Sequence, residues 1–147
     1  MSVTDRDNGA RRLLEQIRAI KGAAVDVGVL GQKAAEDHGG LTVGDVATFH
    51  EFGLGVPERS FVRNYVDRSK AAAQTLARRC AEAVARGVPA EAALNIIGMS
   101  HASAIQEMIA DGIDPPLAEE TIKRKGSSTP LIDTGQLRAS VTWRIAK

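Results

Sequence analysis

The chain of 147 residues has little of several residue types, and each shortage excludes a class of protein. Its one cysteine, Cys80, can form neither an internal disulfide nor a thiolate metal cluster, and it fits a reducing cytoplasm. Aromatic residues make up only 3% of the sequence, so we expect an aliphatic, alanine-rich core of packed helices. The formal net charge of +1 gives no overall electrostatic reason for binding nucleic acid or an anionic membrane.

Long apolar runs are also lacking. No window approaches the ~20 apolar residues that would span a bilayer. Residues Met1–Asp7 contain no apolar run of the kind found in a signal peptide. We therefore expect a soluble protein that is made in the cytoplasm. The length and the ordinary hydrophobic content of 44% predict one domain with a real core over residues 1–147.

Helical periodicity dominates the chain. Thr42 and Asp45 have the spacing of a capping box at the start of a short helix, and Ser60 is placed to cap the longest helix, which is expected to be about 40 Å long. The first predicted helix is capped by Asp7 or Asn8 and ended by Gly22, with an apolar stripe from Ala10 to Ile20. The others are a short helix from the Thr42 capping box to about Gly53, Phe61 to about Arg86, a segment from Pro89 to Gly112, and Leu117–Lys125, which Gly126 ends.

Two segments have the period of two that is typical of strands, Val25–Leu30 and Ala139–Ile145, the second entered from Leu137. Because a lone two-stranded sheet is marginal in water, either a strand is hidden in Gly31–Val46 or helices and neighbouring subunits complete the sheet. We interpret Gly31–Leu41 as a mobile loop. The predicted class is α+β, a small β-sheet packed against one long helix and several shorter helices.

The most informative stretch runs from Thr121 to Val141. After the short basic helix and a Ser-rich loop comes Leu131-Ile132-Asp133-Thr134-Gly135. Asp and Thr side chains accept bonds from backbone N–H groups a few residues on, and Gly permits a reversal. We expect Asp133 to accept such bonds from Gly135 or Gln136 and so to fix the entry of the last strand.

This block resembles the C-terminal signature of a virion protein family of long-tailed bacteriophages, the tail-component or tail-completion (neck) proteins. The matching pattern is Thr-Ile-basic-basic-Lys-Gly-Ser-Ser followed by Pro-Leu-Ile-Asp-Thr-Gly-x-Leu-x-x-Ser, over Leu117–Ser140. A second match begins at His50-Glu51-Phe52-Gly53 and continues with Pro57, Arg59 and Phe61. Family members usually have Pro where this protein has Ser60. The matched blocks cover about a third of the sequence and stand in the expected order.

The resemblance implies a structural virion protein, not an enzyme, that assembles in the neck of a phage or prophage. It implies a homo-oligomeric ring, other neck and tail proteins as partners, and location in the virion after assembly in the host cytoplasm. A minor tail or tail-terminator subunit is the runner-up. We expect Phe52 to anchor its loop on the core and Gly53 to turn the backbone. The structural or interface candidates are Glu51, Phe52, Gly53, Arg59, Phe61, Asp133, Thr134, Gly135 and Leu137.

Alternatives of other classes remain open. The Asp133-Thr134-Gly135 triplet has the form of the aspartic-protease signature, which would require a dimer. Lys123-Arg124-Lys125 could contact DNA phosphates. The same three positive charges are also favourable at a helix C-terminus. No specific nucleic acid is expected as a partner, and contact with passing DNA stays open. His101 lies on an apolar stripe and is expected to be a hydrogen-bonded core residue. No catalytic residue, metal or cofactor is predicted.

Overall fold

A computed structural model of the protein describes residues 9–126, 128–131 and 135–146. The α+β class predicted from the sequence is confirmed. The elements in sequence order are α1 (Ala10–Ile20), β1 (Ala24–Val29), α2 (Gly31–Ala35), β2 (Asp37–His38), β3 (Leu41–Thr42), α3 (Val43–Phe52), α4 (Phe61–Ala85), α5 (Ala90–Asp111), α6 (Glu119–Lys125), α7 (Gln136–Ser140) and β4 (Val141–Ala146).

The main sheet is the antiparallel pair of β1 and β4, in which Val25 faces Ile145 and Val27 faces Trp143. α5 packs across this sheet and α4 packs on α5. A Cβ atom added at Gly98 would lie 2.2 Å from Cδ1 of Trp143, so glycine at this position allows α5 to approach β4 closely. The alternating apolar residues of the two strands therefore face a helix at short range, which stabilises a sheet too small to persist alone.

The main core forms where α3, α4, α5, α7 and the sheet meet. Phe61 is 1% exposed and Ile109 is 0% exposed. Other buried members of this cluster are Val43, Ala47, Ala102, Ile105, Ile113, Leu131, Leu137 and Val141. A smaller cluster joins α4 to α5 through Cys80, Val84 and Ala93. The core is aliphatic and alanine-rich, as the scarcity of aromatic residues predicted.

The interpretation of Gly31–Leu41 as a loop without regular structure is wrong. Its first part is helix α2, and β2 and β3 form a hairpin in which Asp37 faces Thr42. Gly39 and Gly40 form the two-residue turn with φ of 67° and 89°, which glycine adopts without steric cost. The hairpin is a separate two-stranded sheet, so it does not extend the pair of β1 and β4.

The last strand begins later than its alternation predicted. Residues Gln136–Ser140 form α7, and β4 starts at Val141. The predicted strand Ala139–Ile145 is therefore wrong at its first two residues, and the chain enters it from Leu137 as a helix. Gly135 precedes the helix with φ of 79°. Ser140 donates its hydroxyl proton to the carbonyl of Gln136 over 2.8 Å, which closes this one-turn helix.

The other predicted helices are confirmed within a few residues, and Gly126 ends α6 in the left-handed conformation with φ of 70°. Gly9 occupies the N-cap position of α1, and the expected caps Asp7 and Asn8 lie outside the described residues. Leu14 and Ile17 of α1 are each 52% exposed, so the apolar stripe of this helix is only partly covered. Among the described helices, none has the length and apolar character to cross a bilayer.

Candidate interaction site

The N-terminus of α4 is capped by a residue of another helix. Glu51 lies in the last turn of α3, on the face that also buries Val43 and Ala47. Its carboxylate accepts the backbone N–H of Val62 and the backbone N–H of Arg63, each over 3.0 Å. These groups lie in the first turn of α4, where N–H groups have no partner within the helix. A negative charge there is also favoured by the helix dipole.

Ser60 occupies the N-cap position that the sequence assigns to it, but its hydroxyl makes no capping hydrogen bond. The expectation that Ser60 caps α4 through its hydroxyl is therefore wrong, because the distant carboxylate of Glu51 already accepts the N–H groups that such a cap would take. Ser60 is 9% exposed and lies in the turn into the helix.

Arg63 binds the C-terminal end of α3 to the loop that follows it. Its guanidinium Nε donates to Glu51 Oε1 over 3.2 Å, and Nη2 donates to the backbone carbonyl of Glu51. The same Nη2 donates to Glu58 Oε1 over 2.9 Å. One arginine thus engages a helix C-terminus, a buried carboxylate and an exposed carboxylate, and this holds α3, the loop and α4 in one arrangement.

Phe52 does not anchor the loop on the core, contrary to the prediction. Its ring is 57% exposed, and the guanidinium carbon of Arg63 lies 5.2 Å from the ring centroid, which is the geometry of a cation–π contact. The reason is helical spacing: Val43, Ala47 and Glu51 occupy the buried face of α3, and Phe52 falls beside that face. Gly53 turns the backbone as expected, with φ of 67°.

Arg59 is buried although it carries a charge. The residue is 4% exposed, and its guanidinium donates from Nε to the carbonyl of Pro115 over 2.8 Å and from Nη2 to the carbonyl of Pro116 over 3.1 Å. Its backbone N–H donates to the carbonyl of His50 over 2.8 Å. Burial lowers the pKa of the Arg59 guanidinium from its usual range. This residue therefore fixes the 115–116 turn against the end of α3.

A cavity of about 510 Å³ opens beside Arg59. It lies between α3, the loop before α4, the turn before α6, and the start of α7. The two blocks of sequence that carry the family resemblance, separated by more than fifty residues, both line it. Its lining residues are His38, Val46, His50, Val56, Pro57, Arg59, Pro115, Pro116, Leu117, Ala118, Thr121, Arg124, Leu131, Gly135, Gln136 and Leu137.

The candidate residues fall into three groups in space. Arg59, Gly135 and Leu137 line the cavity. Glu51, Phe52 and Gly53 form the adjoining end of α3. Phe61 belongs to the main core. Asp133 and Thr134 lie outside the described residues, so the predicted hydrogen bonds of Asp133 and the peptidase alternative stay predictions.

His101 is hydrogen-bonded, as predicted, but it is half-buried and not a residue of the core, and it does not line this cavity. Its Nδ1 is 2.5 Å from the hydroxyl oxygen of Tyr65, and the two rings meet edge to face. Desolvation lowers the pKa of His101 from the ordinary value of 6.5. Among the described residues, no group of three or more His, Cys, Asp and Glu side chains could hold a metal ion.

The sequence interpretation missed Arg63 and the capping role of Glu51. Two signals were available. Glu51 continues the buried spacing of Val43 and Ala47, which calls for a partner because an ionised carboxylate is costly to bury alone. Arg63 stands in the first turn of a helix, where the dipole disfavours a cation unless an acid lies nearby.

No protein-family model, curated protein or solved structure matches the sequence.

Proposed function

We propose that this protein is a structural virion component of a tailed phage or prophage, and that it acts in tail completion or head–tail joining by assembling with other proteins of the neck. The proposal rests on the two sequence blocks that resemble the tail-completion family. One observation supports it most: these blocks, far apart in the sequence, line the same cavity through Arg59, Gly135 and Leu137. A common site explains why both blocks occur together in one family pattern.

Exposed apolar side chains at the same corner also support an assembly role. Phe52 is 57% exposed and Leu54 is 53% exposed, and both follow the buried Glu51 within three positions. A single exposed apolar residue needs no explanation. Here Glu51 and Arg63 form several hydrogen bonds at the end of the helix that carries them. A segment held in this way loses less conformational entropy when a partner covers its apolar side chains.

The mechanism that follows is attachment by surface complementarity. Copies of the protein form a ring at the head–tail junction, and each copy presents the end of α3 and the adjoining cavity to the next protein of the neck. The described site holds no constellation that assigns chemistry to it. The runner-up role, a minor tail or tail-terminator subunit, uses the same kind of assembly with different neighbours.

Deletion of the gene from the phage or induced prophage that carries it tests the role. We expect filled heads and separate tails in negative-stain electron micrographs, and joined particles again when the gene is supplied in trans. A Phe52→Ser variant should restore joining less well than a Lys147→Ser control. Tails of uncontrolled length would favour the tail-terminator alternative. Normal infectious particles from the deletion would contradict a virion role.

A peptidase role makes a different prediction for Asp133. If the triplet formed a dimeric aspartic peptidase, the purified protein would cleave peptides and Asp133→Asn would abolish the cleavage. We expect the parent protein to show no cleavage of a peptide library. Cleavage that disappears in the Asp133→Asn variant would replace the assembly proposal with an enzymatic one.

A further inference from the structure

The described lining of the cavity beside Arg59 carries more positive than negative charge. Its described lining includes Arg59, Arg124, His38 and His50, and no aspartate or glutamate belongs to that described lining. His38 is held in place because its Nδ1 lies 2.8 Å from Oε1 of Gln136, another lining residue. Two permanent cations and two imidazoles thus surround a space of about 510 Å³ that can admit a group of opposite charge.

The positive charge of Arg59 matters most, because a buried charge costs more free energy than an exposed one. The residue is 4% exposed, and the two hydrogen bonds that its guanidinium makes to described residues go to the carbonyls of Pro115 and Pro116. Carbonyl dipoles satisfy donors but do not neutralise a charge, and buried charges in proteins are normally paired with an opposite charge. Burial lowers the pKa of the Arg59 guanidinium, because desolvation disfavours its charged form.

The walls of the cavity indicate which kind of negatively charged group would fit among the described lining residues. Val46, Val56, Leu117, Leu131 and Leu137 give it a largely aliphatic surface. A nucleic acid backbone requires several exposed cations along a surface, whereas Arg124 is the one exposed arginine of the described lining. A carboxylate attached to an apolar body matches both features, since arginine binds carboxylates through charge-assisted hydrogen bonds.

We propose that this cavity binds a carboxylate carried on an apolar peptide segment of a partner protein, either the partner's C-terminal carboxylate or the carboxylate of an Asp or Glu residue. Arg124 at the rim attracts the acid and Arg59 at the base receives it, while the aliphatic walls hold the adjoining apolar group. Only the identity of the partner, a neighbouring neck protein, rests on the proposed function.

The test uses small probes and the full-length protein. N-acetylleucine carries a carboxylate on an aliphatic body, and N-acetylleucinamide has the same body without the charge. In an NMR titration at pH 7 we expect N-acetylleucine to shift the resonances of Arg59, Leu117 and Leu137 saturably, and the amide to bind more weakly by at least tenfold. Arg124→Gln should weaken acid binding about two- to fivefold, as for loss of an exposed ion pair. Arg79→Gln, which changes an exposed arginine of α4 remote in sequence from the lining, should leave it unchanged.

Four outcomes would overturn the proposal. Absence of saturable acid binding would remove the site, and equal binding of acid and amide would make it an apolar pocket without charge recognition. Tighter binding of inorganic phosphate than of N-acetylleucine would indicate a phosphate site, as in DNA contact. Acid binding that arises only in the Asp133→Asn variant would show that a carboxylate of the protein itself fills the cavity. None of these results depends on the gene-deletion phenotype, so the two proposals fail separately.

Discussion

The N-termini of α3 and α4 are both capped by side-chain oxygen, but the caps come from different distances along the sequence. At α3, Thr42 Oγ1 accepts the N–H of Asp45 over 3.1 Å, and Asp45 Oδ2 accepts the N–H of Thr42 over 3.0 Å. This capping box involves neighbours three residues apart and lies at the surface. At α4 the acceptor is Glu51, eleven and twelve residues before its two donors, and it is buried.

The difference shows how a cap can do more than end a helix. The capping box of α3 fixes only the start of its own helix, so its loss should be felt locally. The Glu51 cap joins the last turn of one helix to the first turn of the next, and the loop between them carries Arg59 to the cavity. The proposed interaction site therefore depends on the distant cap far more than on the local one.

The largest effect is expected for Glu51→Ala. Two backbone N–H groups would lose a charged acceptor, and each such bond contributes ~1.5–3 kcal/mol, so the free energy of unfolding should fall by about 3 kcal/mol or more. Urea denaturation measures it. Glu51→Gln keeps one acceptor oxygen and should lose less. Glu82→Ala changes an exposed glutamate of α4, the helix that Glu51 caps; it serves as the control and should change stability by less than about 0.5 kcal/mol. Equal midpoints for Glu51→Ala and Glu82→Ala would contradict the capping role.

A smaller loss is expected for Thr42→Ala. Removal of an N-cap hydroxyl typically costs about 1 kcal/mol, because one N–H of the first turn loses its acceptor. Thermal unfolding should detect this change. Thr48→Ala is the matched control, since Thr48 is an exposed threonine of the same helix whose hydroxyl donates to the carbonyl of Gly44. If the two variants unfold at the same temperature, the capping box does not stabilise α3.

The capping box should also make stability sensitive to acid. The hydroxyl and backbone N–H of Thr42 lower the pKa of Asp45 below the ordinary 3.8. A carboxyl whose pKa is lowered by folding contributes stability above its unfolded pKa, and this contribution is lost as pH falls through the folded pKa. An NMR titration should find the pKa of Asp45 lower in the parent protein than in Thr42→Ala. If the pKa of Asp45 is the same in the Thr42→Ala variant, the Thr42 hydroxyl does not lower it.

The smallest effect is expected for Ser60→Ala. Its hydroxyl makes no cap hydrogen bond, since Glu51 accepts the N–H groups of the first turn. Stability should change by less than about 0.5 kcal/mol in the urea assay. A serine N-cap typically contributes ~1 kcal/mol, and a loss of that size would mean that Ser60 caps α4 in solution. The starts of α3 and α4 would then both have local caps.

Much of the fold follows from short-range patterns in the sequence. The capping box at Thr42, the turn at Gly53 and the end of α6 at Gly126 were all predicted, because each depends on residues within four positions. The alternation of Val25, Val27 and Val29 identified β1 in the same way. The hairpin at Gly39-Gly40 was missed although its turn carries a recognisable signal, since its two-residue strands are too short to show alternation.

Helix α7 shows where periodicity becomes ambiguous. Leu137 and Val141 are four residues apart, a spacing that fits either one face of a helix or alternate positions of a strand. The buried Leu137 and the bond from Ser140 to Gln136 decide for helix in the folded protein. From Val141 onward the residues form strand β4, as predicted.

The sequence by itself determined α1, α3, α4, α5 and α6, the two strands of the main sheet, and the local caps at Thr42, Gly53 and Gly126. These features depend on dihedral preferences and on spacing along a few turns. Only the tertiary structure decided that Glu51 caps α4, that Arg59 lies buried under two proline carbonyls, and that the two family-like blocks share one cavity. The hydrogen bonds behind these features join residues from 11 to 57 positions apart. The physical reason is desolvation. A charged side chain at the surface stays hydrated, whereas a buried one needs hydrogen-bonding or charged partners. Only the packing of the whole molecule decides whether a given charged residue is exposed or buried.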